Sequence, residues 1–215
     1  NSPNKYELAE AGAQEMAGIF RELIAERRLS PKEDMISTLV AARDDDDALS
    51  EDELLAACML VMFGGHETTT NLLAGGVLKF LLHPEQAELL RADPSLAKSA
   101  VEECLRFDGP SGSMARVVAV DHNLHGKDLR SGDRVFAMIN TANQDPDVFE
   151  NPGVFDITRA QNRHVTFGFG THFCMGSALA RLEGEVAFPH LLASLPGLKL
   201  AGDVDWHPTM IMRGP

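Results

Sequence analysis

Residues 50–82 contain no proline, are rich in apolar side chains and open on Ser50-Glu51-Asp52-Glu53. That opening is a capping box, in which a serine and a glutamate three residues later satisfy each other's backbone N–H groups. At the rise of a helix this stretch makes one rod of roughly 45 Å, long enough to cross a whole domain, so the rest of the fold must be built around it. Its middle resists helix formation. Phe63-Gly64-Gly65-His66-Glu67-Thr68-Thr69-Thr70-Asn71 sets two glycines, each costing about 1 kcal/mol in a helix, before three threonines that are stiff at χ1. Adjacent glycines remove side chains where a bulky partner could press, and a hydroxyl beside a carboxylate can bond into the loosened backbone. The competing reading is a close helix crossing with back-bonded threonines.

Elsewhere the spacing of apolar residues predicts a helix from Leu8 to Arg28 and a second to about Arg43, opened by Ser30 as N-cap with Pro31 and Glu33. Asp44 to Asp47 read as a solvated acidic loop. Pro84 starts another helix, and Pro94-Ser95 precedes one that reaches Arg106. Beyond Gly109-Pro110, Ala115 to Val120 and Arg134 to Ile139 are rich in strand-forming residues, with turns at Gly126 and at Ser131-Gly132, so a small antiparallel sheet is expected. A long irregular connection, Thr141 to Thr166, leads to a final helix from Met175 to about Leu195, which Pro189 should kink or stop. The expected fold is mainly α with a minor antiparallel β region, one domain over residues 1–215.

A net charge of −13 opposes attraction to nucleic acid or to an anionic membrane. The first fifteen residues offer neither a signal-peptide core nor a membrane span, so a cytoplasmic protein is expected. The three cysteines, Cys58, Cys104 and Cys174, form no CxxC pair and suggest neither a disulfide framework nor a zinc ribbon. Cys58 and Cys104 lie in apolar helical sequence and read as small buried residues.

Cys174 is different. Phe167-Gly168-Phe169-Gly170-Thr171-His172-Phe173-Cys174-Met175-Gly176 presents one sulfur at a glycine-loosened bend that runs into a helix. Gly168 and Gly170 permit φ > 0 and close approach to a flat partner, while unpaired amides and the helix dipole favour the thiolate, the form that binds metal. Glu103-Cys104-Leu105-Arg106 places a carboxylate and a guanidinium at i, i+3 on one helix face, most simply a surface ion pair. Arg116 and His172 are donors able to meet anions. Three alternatives fail on spacing. His66-Glu67 would need a histidine where Thr70 stands to be a zinc-protease motif; a dinucleotide fingerprint would need glycine at Phe173; and His164, His172 and Cys174 lack a fourth zinc ligand.

The stretch 167–176 resembles the haem-ligand signature FGxGxHxCxG of the cytochrome P450 family, the haem-thiolate monooxygenases, at every fixed position. Gly64-Gly65-His66-Glu67-Thr68 is similar to that family's oxygen-activation motif, Glu103 and Arg106 to its ExxR motif, and Asp156-Ile157-Thr158-Arg159 to the segment that supplies a second arginine. The resemblance implies the P450 haem-domain fold, with haem b (iron protoporphyrin IX) between the long helix and the cysteine loop. Cys174 would be the axial metal ligand, with Phe167, Gly168, Gly170 and Gly65 around the macrocycle and Arg116 and His172 on its propionates. Glu67 and Thr68 would be catalytic, delivering protons to dioxygen on the distal side. Glu103, Arg106 and Arg159 would lock the loop. The implied reaction is monooxygenation of a small organic substrate with electrons from a ferredoxin- or flavodoxin-type donor and its reductase, received near Arg163, His172 and Arg181. A haem-binding remnant or sensor without turnover, and a peroxide-driven peroxygenase, are the alternatives. Val61, Met62, Ser111, Ser113, Met114 and Ile211 are candidates for the substrate pocket. The sequence corresponds to about the C-terminal half of the family's usual length, so the helices that roof that pocket are expected to precede Asn1.

Overall fold

The computed structural model describes residues 4–46, 49–206 and 209–215. They divide into two compact units, one up to His66 and one from Glu67 onward. The first contains helices α1 (Lys5–Leu29) and α2 (Met35–Asp46) and the opening turns of α3 (Glu51–Leu82). Its core is Ile24, Val40, Leu54, Leu55 and Cys58. The expected capping box at the start of α3 is present: Glu53 N–H donates to Ser50 Oγ at 3.2 Å, and Ser50 N–H donates to Glu53 Oε2 at 2.8 Å.

Ser30 does not cap α2. It ends α1, donating its N–H to Glu26 O, and Asp34 takes the N-terminal role by accepting from Ser37 N–H at 2.8 Å. The Arg27 guanidinium holds Asp34 in place, and hydrogen bonds from Arg27 and Ser37 draw its carboxyl down to about 2. The acidic run is not a loop through Asp46, because α2 continues that far; Asp47 lies outside the described residues.

In the second unit the remainder of α3 is joined by α4 (Pro84–Ala92), α5 (Ala97–Asp108), β1 (Ser113–Val117), β2 (His122–Leu124), β3 (Lys127–Leu129), β4 (Arg134–Met138), α6 (Ile139–Ala142) and α7 (Ser177–Ser194). The predominantly helical reading holds. Strand β1 pairs antiparallel with β4, Ser113 opposite Met138, as the sequence suggests. A second hairpin, β2 with β3, turns on His125 and Gly126, whose φ values of 48° and 79° both fall in the left-handed region that a two-residue turn demands.

The core of this unit joins α3, α4, α5 and α7. Phe80 meets Phe188 edge-on at 5.5 Å and Phe155 at 5.7 Å. A Cβ at Gly76 would sit 2.3 Å from Phe188 Cζ, and one at Gly184 2.8 Å from Val101 Cγ2, so both glycines are helix crossings. Pro189 does not stop α7, which runs on to Ser194. An internal proline costs about 3 kcal/mol, and complete burial of Phe188 and Leu192 on either side, worth about 1.5–3 kcal/mol each, offsets it. Among the described residues no helix is long and apolar enough to cross a membrane.

Candidate functional site

The cysteine loop is wound by its own backbone. Gly168 N–H donates to Val165 O at 2.9 Å, Phe173 N–H to Gly170 O at 3.0 Å, and Cys174 N–H to Phe167 O at 2.9 Å. These bonds require φ of 76° at Gly168 and 73° at Gly170, conformations in which a side chain is strained. Ser177 N–H donates to Cys174 O as α7 begins, so the sulfur stands three residues before a helix start. Cys174 is free and half-buried, whereas Cys58 and Cys104 are buried and burial raises both thiols, as their apolar surroundings suggest. Large apolar groups of the same loop are exposed: Phe169 is 93% exposed and Met175 88%.

Glu103 and Arg106 are not a surface pair; both are fully buried. Every N–H of Arg106 has an acceptor: the two Glu103 oxygens at 2.7 and 2.8 Å, and the carbonyls of Asn143, Pro152 and Val154 at 2.9–3.1 Å. Glu103 in turn accepts from Arg159 Nε at 3.2 Å, Asn162 Nδ2 at 3.0 Å and Asp156 N–H at 2.9 Å. One helical i, i+3 pair therefore pins the irregular segment that leads to the cysteine, and the second arginine arrives from the segment where it was expected.

A neighbouring carboxylate, Glu102, was not legible in the sequence. It accepts from Arg181 of α7 at 2.5 and 3.1 Å and contacts His164 Nε2 at 3.1 Å. Burial alone would raise its carboxyl, but hydrogen bonds from His164 and Arg181 overcome that and pull it down to about 2. The only cue was a second glutamate beside the ExxR motif, with partners 62 and 79 residues away. Its consequence is that the Arg181 charge is paired within the fold.

The remaining predicted residues fall as follows. Helix α3 continues unbroken through the glycine and threonine run, with Glu67 and Thr68 half-buried near its middle. Apart from the neighbouring backbone of α3 itself, no described atom lies within 4 Å of a Cβ built at Gly64 or Gly65, so among the described residues those glycines are not a helix crossing; Gly76 serves that purpose further along. Arg116 is exposed on β1, bonding the Ala115 carbonyl, and His172 is exposed in the turn before the cysteine. Ser113 is no pocket-wall residue: fully buried, it donates its hydroxyl to Met210 O at 2.9 Å. Met62, Met114 and Ile211 are exposed, and Val61 and Ser111 half-buried.

A single soft donor with exposed apolar neighbours, on a loop whose glycines allow close approach, suits a flat iron macrocycle better than a small hard cation. The residues present therefore fit a haem.

Comparison with known proteins agrees. The description "Cytochrome P450" matches residues 4–196, and the chain belongs to that family. It is 42% identical, over 99% of its length and 54% of the other's, to the polyketide biosynthesis cytochrome P450 PksS of Bacillus subtilis (strain 168). It is 38% identical to the 6-deoxyerythronolide B hydroxylase of Saccharopolyspora erythraea, again over 99% of its length and 54% of the other's. Among solved structures, the myxobacterial cytochrome P450 CYP267B1 in complex with myristic acid superposes with a TM-score of 0.96 at 41% identity, over 100% of this chain and 54% of that one. The chain thus spans about half the length of the curated relatives it matches. Family membership implies a haem with a cysteine thiolate ligand.

Proposed function

We propose that residues 1–215 contribute to the haem-binding domain of a monooxygenase, in which the Cys174 thiolate would hold the iron of haem b. The reaction inserts one atom of dioxygen into a C–H bond of a small organic substrate, in the cytoplasm. Electrons come from a ferredoxin- or flavodoxin-type donor and its reductase. The observation that carries this reading is the half-buried free sulfur on a backbone-wound glycine loop, anchored by a fully buried Glu103–Arg106–Arg159 network. Relatives named as a hydroxylase and solved with myristic acid support an apolar organic substrate.

When bound, the haem supplies the activation of dioxygen by two electrons and two protons. The chain's own groups do the rest. Phe167 O and the positive-φ glycines hold the Cys174 backbone in place. Gly65 leaves the surface of α3 free of a side chain, and Phe167, Gly168 and Gly170 present backbone and ring to the macrocycle. Arg116 and His172, both exposed, are donors for its propionates. Glu67 and Thr68, one carboxylate and one hydroxyl on successive positions of α3, would hold and pass the protons the reaction consumes. Glu103, Arg106 and Arg159 position the loop and take no part in the chemistry.

The test is the reduced, carbon-monoxide difference spectrum of the purified protein and of Cys174→Ser. A red-shifted Soret band in the first that is lost in the second is expected; its absence from haem-supplemented wild type overturns the assignment. Thr68→Ala should keep consuming electrons while releasing peroxide in place of hydroxylated product, and unchanged coupling would remove Thr68 from the relay.

A further inference from the structure

Two consecutive glutamates on α5 do separate jobs. Glu103 gathers the segment 156–162, while Glu102 reaches sideways to His164 and to Arg181 on α7. Both of those partners meet Phe167. The Arg181 guanidinium carbon stands 4.5 Å above the Phe167 ring, and the His164 ring lies 5.9 Å from it. Phe167 is also the residue whose carbonyl accepts Cys174 N–H. His164 is itself set: Thr166 N–H donates to its Nδ1 at 3.2 Å, which leaves the Nε2 proton directed at Glu102, and its side chain is only 2% exposed. Thr166 in turn donates to Leu105 O at 2.7 Å, back on α5.

We propose that Glu102 is a positioning residue for the thiolate, acting through an Arg181 and His164 clamp that fixes the Phe167 ring and carbonyl and so the direction of the Cys174 sulfur. A carboxylate suits this task. Its two oxygens hold a planar guanidinium at two points over the Phe167 ring, an arrangement that lysine cannot reproduce. Partners around a metal ligand commonly change ligation by one to two orders of magnitude when removed, although they never touch the metal.

The inference rests on the haem-thiolate reading, and its test separates the two. Wild type and Cys174→Ser first establish whether the red-shifted carbon-monoxide band exists. Glu102→Gln and Arg181→Lys are then loaded with haem, and the ratio of red-shifted to unshifted Soret band is measured per bound haem, beside the urea midpoint. In both variants the ratio should fall about tenfold. Glu102→Gln turns an amide donor towards guanidinium N–H groups, and Arg181→Lys keeps the charge but not the two-point contact. A lowered midpoint with the wild-type ratio would mean the cluster only stabilises the fold, and the proposal fails. A wild-type ratio in Arg181→Lys would mean that charge balance alone suffices, and it fails again. Should Glu102→Gln not accumulate as folded protein, His164→Gln removes one arm of the clamp and must give the same fall.

Discussion

Replacing Arg106 by lysine keeps the charge beside Glu103 and the length of the side chain, so any loss of stability reports hydrogen-bond geometry. Arg106 uses all its N–H groups on five acceptors in a site without solvent exposure. An ammonium has three donors, so at least two of the five buried hydrogen bonds are lost. Each bond lost beside a buried charge costs about 1–3 kcal/mol, which makes the substitution worth about 2–6 kcal/mol. That is a large share of the 5–15 kcal/mol, roughly, that holds a typical domain together. Arg159 is the internal control, because its guanidinium is 11% exposed and water can replace much of what it donates to Glu150 O and Val154 O. Arg159→Lys should cost about 1 kcal/mol. The assay is urea unfolding of the two variants and wild type, followed by far-UV circular dichroism. If Arg106→Lys unfolds within about 0.5 kcal/mol of wild type, or Arg159→Lys proves the more damaging, then five-donor saturation is not what holds this segment.

Three further outcomes follow from other parts of the molecule. Gly76→Ala drives a methyl into the Phe188 ring and should destabilise by about 1–3 kcal/mol, with Phe188→Leu in the same chain restoring much of the loss; no rescue would mean that the contact is not the cause. Gly65→Ala, where no described atom beyond the neighbouring backbone of α3 stands within 4 Å, should raise the stability of the haem-free protein by up to about 1 kcal/mol in thermal melts, and a lowered melting point would show that the glycine serves the helix itself. Glu102, with its folded carboxyl near 2 against an ordinary 4.5, contributes stability that is complete above pH 4.5 and drains away as pH falls towards 2, at most about 3 kcal/mol. Urea midpoints of wild type should therefore fall more steeply below pH 4.5 than those of Glu102→Gln, and parallel curves would contradict the pairing.

Much of the site was written in short-range pattern. A capping box, a proline-free apolar run and a glycine loop around a cysteine are decided by neighbours within one or two turns, and Ser50, the length of α3 and the bend at Gly168 and Gly170 emerge as those neighbours dictate. Where two local signals compete, sequence misleads: Ser30 has the right residues after it, yet the Arg27 guanidinium draws Asp34 into the capping position. Pro189 should end a helix, and buried Phe188 and Leu192 carry it through. Which charges are buried is a property of the packed fold alone. Glu103 and Arg106 look like any exposed i, i+3 pair until segments some forty to sixty residues downstream close over them. Glu102 looks idle until α7 brings Arg181 against it. Local spacing thus determined which side chains could do chemistry, while long-range packing decided which of them are desolvated, and desolvation is what turns a weak surface pair into a strong anchor.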